Sequence, residues 1–181
     1  MKMKLIYISF LCTLTIGLGA CHSPQSKDTT REASVFKQQS VKEPQRMALS
    51  DSKEIIEYDG KRFQSRVVRR PDETLPKVKN DEGIIFVDNV ITLQLTCAGR
   101  TVIDKKFTKQ DFISLIEASF LKNAILEGIV YDRTTSQGIQ YAASVGYPET
   151  DLYQPIRLTV SPSGKLSMVK EEQMVEVAEE E

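Results

Sequence analysis

Short segments of alternating apolar and polar residues, separated by tight-turn signals, most constrain how this chain of 181 residues can fold. Residues 139–147 alternate strictly, and residues 90–97 and 156–160 repeat the period of two that is typical of half-buried strands. Asp59-Gly60 and Ala98-Gly99-Arg100 mark tight turns between neighbouring strand segments. Hairpins at such short spacing predict an antiparallel sheet.

One helical segment interrupts the strands. Thr108 is a candidate N-cap with Asp111 three residues later, and an apolar stripe follows from Phe112 to Phe120. Lys109 is predicted to face water, and Asn123 to end the helix in a left-handed conformation. The sequence therefore predicts an α+β fold: a single domain, mainly an antiparallel β-sheet of hairpins, with one amphipathic α-helix packed on a sheet face.

The first 20 residues have the organisation of a bacterial lipoprotein signal peptide. Lys2 and Lys4 precede a mostly apolar run that ends in small residues before Cys21. At ~1.5 Å per residue, residues 5–20 would span roughly 24 Å as a helix, short of the ~30 Å hydrocarbon core of a bilayer. We therefore expect cleavage before Cys21 and lipidation of its thiol, which would attach the protein to a membrane. An ordinary secretory signal with a chance cysteine is the alternative.

Composition divides the rest of the chain into three parts. Residues 21–53 comprise the lipidated cysteine and a polar stretch that is predicted to be a flexible tether. Residues 54–170 carry the strand and helix signals and are predicted to form the globular α+β domain. Residues 171–181 contain six glutamates and are predicted to be an acidic, disordered tail.

Cysteine and histidine usage restricts the available chemistry. Beyond the leader and Cys21 the sequence retains only Cys97, which the strand alternation places on an apolar face and predicts to be buried. His22 is the only histidine and lies in the predicted tether. Neither a catalytic triad nor a multi-histidine zinc site is therefore expected in the globular part, and no metal or cofactor is predicted. A formal net charge of −1 argues against a nucleic-acid partner.

Two surface segments are candidate binding sites. The loop that follows residues 139–147 combines carboxylates with aromatic rings, a set that could bind a sugar or supply an acid and a base for glycoside hydrolysis. Its residues are Tyr147, Glu149, Asp151 and Tyr153. The second segment is basic and could bind a carboxylate or phosphate; it carries Arg66, Arg69 and Arg70, followed by Lys77 and Lys79. For each segment, a solvated loop without a ligand is the alternative.

A third charged position is Asp132 with Arg133 at the end of a predicted strand. Strand ends often present functional groups, but a local surface ion pair is the expectation here.

Three segments of the chain resemble, in order, those of an uncharacterised lipoprotein family of Bacteroidetes, the domain of unknown function numbered four-seven-three-eight. They are residues 107–112, 122–132 and 142–151, and the likeness extends over about residues 55–170. The resemblance implies a lipid-anchored envelope protein and transfers no catalytic residues.

These observations favour a lipid-anchored protein of the cell envelope that is a non-enzymatic binding or assembly module. It would present a sheet face or the 147–155 loop to an envelope protein or glycan. The expected location is the outer membrane, facing the periplasm, with surface exposure as the alternative. The competing hypothesis is a carboxylate-dependent hydrolase that acts on an envelope or dietary glycan.

Overall fold

The computed structural model describes residues 43–172. Ten strands, one short 3₁₀ turn and one α-helix follow one another along this region. The strands are β1 (Ser50–Tyr58), β2 (Lys61–Pro71), β3 (Val78–Lys79), β4 (Ile85–Phe86), β5 (Asn89–Cys97), β6 (Arg100–Phe107), β7 (Ile125–Thr135), β8 (Gly138–Gly146), β9 (Tyr153–Val160) and β10 (Leu166–Lys170). The 3₁₀ turn (Lys109–Phe112) and α1 (Ala118–Asn123) lie between β6 and β7.

The strands form two four-stranded antiparallel sheets and a small hairpin. The sheet orders are β1-β2-β5-β6 and β10-β9-β8-β7, while β3 pairs with β4. The turn of the β1–β2 hairpin has positive φ at Asp59 and Gly60 (51° and 65°), and that of β5–β6 at Ala98 and Gly99 (47° and 76°). Two such residues form the turn whose twist matches that of the strands. The hairpins predicted around these turns are confirmed.

Four hairpin turns lie at one end of the domain, which we call the turn end. They join β1 to β2, β5 to β6, β7 to β8 and β9 to β10. The two sheets meet there, because the Tyr58 hydroxyl donates to the Ser136 carbonyl at 3.3 Å. The opposite end, the loop end, carries the longer connections, with β3, β4, α1 and the β8–β9 loop. The described region also begins and finishes at the loop end, since Ser50 pairs with Arg69 and Lys170 with Ile156.

The inward faces of both sheets contribute to one hydrophobic core, as expected for a sandwich of two packed sheets. Each strand supplies alternate residues, for example Leu93 and Leu95 from β5 and Leu158 from β9, all fully buried. A polar contact crosses this core: the Ser65 and Tyr141 hydroxyls lie 2.9 Å apart and are buried. Burial raises the pKa of Tyr141 to about 12, and the hydrogen bond with Ser65 acts in the opposite direction.

The mainly antiparallel β-structure predicted from the sequence is present, but the single helix is much shorter than expected, so the α+β prediction holds only roughly. The 3₁₀ turn stops at Phe112, and α-helix resumes only at Ala118. Phe112, Ile116 and Leu121 are buried while Ile113 is 60% exposed, so the segment folds around three separate anchors instead of one continuous apolar stripe. The cap is present: the Asp111 carboxylate accepts the Thr108 backbone N–H at 2.9 Å.

Two further helix expectations are wrong. Asn123 is still part of α1, and the next residue, Ala124, is extended (φ −104°, ψ 159°), so the chain passes into β7 without a left-handed residue. Lys109 does not face water but is 5% exposed, because its ammonium donates to the Ala124 carbonyl at 2.6 Å. The local pattern could not reveal this acceptor, which lies 15 residues further along the chain.

The ordered domain begins before residue 54. The Gln45 backbone N–H donates to the Ile85 carbonyl at 2.7 Å, and the Gln45 carbonyl accepts from Val87 at 2.9 Å. The predicted boundary at residue 54 therefore falls inside β1 and moves towards the N-terminus. The predicted leader, Cys21 and His22 lie outside the described residues.

At the other terminus, Glu171 belongs to the fold rather than to a disordered tail. Its backbone N–H donates to the Pro155 carbonyl at 2.9 Å, and its carboxylate lies 3.2 Å from the Arg157 guanidinium. The tail beyond Glu172 is outside the described residues. Between residues 43 and 172, no helix is long and apolar enough to cross a membrane.

Candidate functional site

The β8–β9 loop holds its shape through its own hydrogen bonds. The Tyr147 backbone N–H donates to the Leu152 carbonyl at 2.8 Å, and the Thr150 hydroxyl donates to the Tyr147 carbonyl at 3.0 Å. Glu149 has a φ of 61°, which turns the backbone sharply at the tip. The Tyr147 ring packs on Phe120 of α1 with 4.6 Å between ring centroids. The loop is therefore fixed against the helix.

Two adjacent pockets at the loop end form the candidate site. The first, the lysine groove, has a volume of about 500 Å³ and is lined by Pro76, Lys77, Lys79, Lys109, Gln110, Ile113, Ala118, Leu121, Lys122 and Asn123. The second, the acidic pocket, has a volume of about 270 Å³ and is lined by Lys79, Asn80, Asp81, Glu82, Asn123, Tyr147, Pro148, Glu149 and Thr150. Lys79 and Asn123 line both, so the two pockets adjoin.

The charges of the two pockets differ in sign. Among described residues, the lysine groove is lined by four lysines and no carboxylate. Lys77 lies 3.3 Å from Glu73, whereas no described carboxylate lies within 4.0 Å of Lys79 or Lys122. The acidic pocket contributes three carboxylates, those of Asp81, Glu82 and Glu149. The surface can therefore contact groups of both charges a short distance apart.

A buried polar cluster supports the groove from beneath. The Lys109 ammonium lies 3.4 Å from Asp88, and both side chains are buried. Asp88 accepts the backbone N–H of Leu126 at 2.9 Å, and the Asn89 amide donates to the Leu126 carbonyl at 2.9 Å. These bonds join the starts of β5 and β7 to the 3₁₀ turn. The cluster was not predicted from the sequence, although the adjacent Asp88 and Asn89 inside an apolar run are a signal of buried polar residues.

The structure brings together only part of the predicted 147–155 site. Tyr147 and Glu149 line the acidic pocket, and Lys79 of the predicted basic segment lies in the same pocket. Asp151 and Tyr153 are exposed and are not among its lining residues. Two segments that were proposed separately from sequence, the β8–β9 loop and the basic stretch, therefore meet at one place.

The three arginines proposed as an anion site do not share a face. Arg66 is bound by Asp51 through two contacts of 2.9 and 2.7 Å, which raises the pKa of the guanidinium and lowers the pKa of the carboxyl. Arg69 belongs to the other side of β2, since successive strand residues face opposite ways, and it donates to the Glu127 carbonyl at 2.6 Å. Arg70 is exposed beside Arg66 in a shallow pocket of about 250 Å³.

Two other predicted positions have local roles. Arg133 pairs with its neighbour Asp132 at 2.8 Å on the surface, as expected for a local ion pair. Cys97 is free and only partly buried, so its predicted full burial is corrected: it is the last residue of β5, where the sheet ends. Within residues 43–172, no group of three or more His, Cys, Asp or Glu side chains is placed to hold a metal ion.

The described region is thus a small, mainly antiparallel β domain whose loop end carries two oppositely charged pockets. Residues 29–168 match the family model described as a domain of unknown function, DUF4738, and the chain belongs to this family. The assignment to the domain of unknown function numbered 4738, made from three sequence segments, is thereby confirmed. No curated protein matches the chain significantly.

Proposed function

We propose that this protein is a non-enzymatic binding module of the cell envelope, anchored by lipid on Cys21, and that its loop end binds a protein partner. One observation carries the proposal: the lysine groove and the acidic pocket share Lys79 and Asn123. Four separate chain segments build this surface, namely β3 with its following turn, the 3₁₀ turn, α1 and the β8–β9 loop.

The partner that fits this surface is a polypeptide segment with acidic and basic side chains close together. The groove offers the unpaired ammonium groups of Lys79 and Lys122 beside an exposed apolar side chain, Ile113. The adjoining pocket offers carboxylates. Polypeptides carry both charges and apolar side chains within a few residues, whereas a neutral glycan carries neither charge. Complementary charge of this kind contributes mainly specificity and association rate.

The lipid anchor is supported by the leader and by the small residues before Cys21. It is tested by labelling cells with a fatty acid. We expect incorporation into the wild-type protein and none into Cys21→Ala. Protease treatment of intact cells then tests the periplasmic orientation: protection until the outer membrane is opened supports it, and digestion of intact cells places the domain on the surface.

The binding surface is tested by site-specific photo-crosslinking in cells that produce the full chain. A crosslinker at Ile113 lies in the groove, and one at Val130, which is 59% exposed on the outer face of β7, is the matched control. We expect a discrete protein adduct from position 113 only. Lys79→Glu with Lys122→Glu should abolish it, whereas Lys53→Glu with Lys106→Glu, an equal charge change outside the groove, should not. Equal adducts from both positions would contradict the proposal.

The hydrolase hypothesis has one observation in its favour, the three carboxylates that line the acidic pocket. Incubation of the purified protein with envelope glycan fragments, with Glu149→Gln as the comparison, distinguishes the hydrolase hypothesis from the binding proposal. Hydrolysis by the wild type that the variant lacks would replace the binding proposal with an enzymatic one.

A further inference from the structure

The turn end carries a pocket of its own, distinct from the candidate site at the loop end. It has a volume of about 770 Å³ and is lined by Lys61, Arg62, Cys97, Ala98, Arg100, Thr101, Val102, Pro162 and Ser163. Two tight turns position the backbone of two of its cationic residues. Lys61 follows the Asp59-Gly60 turn as the first residue of β2, and Arg100 follows the Ala98-Gly99 turn as the first residue of β6.

The pocket gathers cations that have no carboxylate partner. No described carboxylate lies within 4.0 Å of Lys61, Arg62 or Arg100, and none lines the pocket. Other arginines in the described region are occupied: Arg46, Arg66, Arg133 and Arg157 pair with carboxylates, and Arg69 donates to backbone carbonyls. Among the described arginines, only Arg62, Arg70 and Arg100 have neither kind of partner, and Arg62 and Arg100 are among the residues that line this pocket.

We propose that Lys61 and Arg100 form an anion-binding site at the turn end for a ligand with two or more neighbouring phosphate or carboxylate groups. A guanidinium group binds either oxyanion through two parallel hydrogen bonds, and Lys61 adds a compact positive charge. The pocket is larger than a single oxyanion, and Val102 and Pro162 give it an apolar wall for the remainder of the ligand. Arg62 follows Lys61 in β2 and therefore faces the other way, where Glu57 is its register partner on β1, so Lys61 and Arg100 are the two cations of the proposed site.

Calorimetric titration of the purified protein with pyrophosphate and with citrate tests this site and separates the two ligand chemistries. We expect saturable binding of at least one anion and at least ~10-fold weaker binding by Lys61→Gln with Arg100→Gln. The control variant, Lys53→Gln with Arg70→Gln, removes the same charge from exposed positions outside the pocket and should bind within about twofold of the wild type. Equal weakening in both variants would show general charge attraction and overturn the proposal.

Cys97 provides a second readout inside the pocket, because a ligand bound there would cover its thiol. An uncharged alkylating reagent is reacted with the protein, and modification at Cys97 is quantified by peptide mass spectrometry. Anion at a concentration that just saturates the wild type should slow labelling of the wild type and the control variant, and should slow it much less for Lys61→Gln with Arg100→Gln. Absence of saturable binding of both anions, or no protection of Cys97 in the wild type, would overturn the site. Neither result bears on the loop-end proposal, which uses other residues.

Discussion

Lys109 and Asp88 form an ion pair in the interior of the domain, with 3.4 Å between the ammonium and a carboxylate oxygen and 6% and 1% of the two side chains exposed. The pair is not isolated. Lys109 also donates to the Ala124 carbonyl at 2.6 Å, and the other oxygen of Asp88 accepts backbone N–H groups of Asn89 and Leu126 at 2.8 and 2.9 Å. A buried ion pair tolerates desolvation only when its remaining hydrogen-bonding capacity is satisfied in this way.

Lys109→Met should destabilise the domain by about 3–5 kcal/mol, because it removes the cation and leaves the Asp88 charge buried without its partner. The free energy of unfolding from urea denaturation measures the effect. Lys122→Met removes an exposed lysine and should change stability by less than about 0.5 kcal/mol.

The double variant Lys109→Met with Asp88→Asn separates loss of the charge pair from poor packing. Asparagine keeps an oxygen for the Asn89 and Leu126 N–H groups but carries no charge. We expect it to recover at least ~1 kcal/mol relative to the single variant. If the double variant loses as much unfolding free energy as the two single variants lose together, the charge pair makes no contribution.

Tyr141→Phe should alter both stability and its dependence on alkaline pH. At neutral pH it leaves the buried Ser65 hydroxyl without its partner, at a cost of about 1–2 kcal/mol. Because burial raises the pKa of Tyr141 to about 12 in the folded protein, the phenol contributes stability that is fully present below its ordinary pKa of 10.0 and is lost as pH rises to about 12. The difference of about two pKa units between the folded and the ordinary value corresponds to a loss of about 3 kcal/mol in the free energy of unfolding.

Stability curves from pH 9 upward, roughly one unit below the ordinary phenol pKa, check the Tyr141 prediction. The wild type should lose more stability than Tyr141→Phe over this range. Ser65→Ala keeps the phenol and should retain the steep loss. Parallel curves for the wild type and Tyr141→Phe would contradict the assignment.

The hairpins of this fold were predictable because their information is local. Alternation in residues 139–147 sets the buried face of β8, and the Asp59-Gly60 and Ala98-Gly99 pairs supply the positive φ that the turns need. The shortened helix was not predictable in the same way. Its buried residues are Phe112, Ile116 and Leu121. Which side chains of this segment become buried depends on how it packs against the two sheets, and hydrophobic periodicity along the sequence carries no information about that packing.

The candidate site was predictable only in pieces. The sequence identified Tyr147 and Glu149 on one side and Lys77 and Lys79 on the other, but their meeting depends on how β3 and the β8–β9 loop are placed around α1. The arginines of β2 are a different case, because strand alternation by itself is enough to separate Arg69 from its neighbours.

Asp111→Ala should destabilise the domain by about 1 kcal/mol, more than Thr108→Ala does. The carboxylate caps the backbone N–H of Thr108 at 2.9 Å and pairs with Lys105 at 2.9 Å, whereas Thr108→Ala leaves that backbone bond in place. Burial acts to raise the pKa of Asp111, but these two contacts outweigh it and lower the pKa below 3.8. The ionised Asp111 carboxylate therefore stabilises the folded domain above pH 3.8, and this stabilisation is lost as pH falls through the lower pKa of the folded state.

Acid unfolding of the wild type and Asp111→Asn tests this linkage. The stability difference between the two should shrink as pH falls below the ordinary carboxyl pKa of 3.8. A Thr108→Ala variant that is less stable than Asp111→Ala would place the cap on the threonine side chain instead.

Gly164→Ala should be more damaging than Gly60→Ala, although both glycines have positive φ. At Gly60 (φ 65°) an added Cβ meets nothing within 4 Å, so only backbone strain of about 1–2 kcal/mol applies. At Gly164 (φ 83°) the Cβ would lie 2.2 Å from the Val102 carbonyl oxygen, and that oxygen belongs to backbone that cannot move aside without shifting β6. The added steric cost should bring the loss to more than about 3 kcal/mol.

Urea denaturation measures the free energy of unfolding of the two variants. Gly60→Ala reports backbone strain alone, whereas Gly164→Ala reports the strain together with the steric clash. Equal losses would mean that the β9–β10 turn moves freely away from β6, and the turn end would then lack the close contact between the two sheets that shapes its cationic pocket.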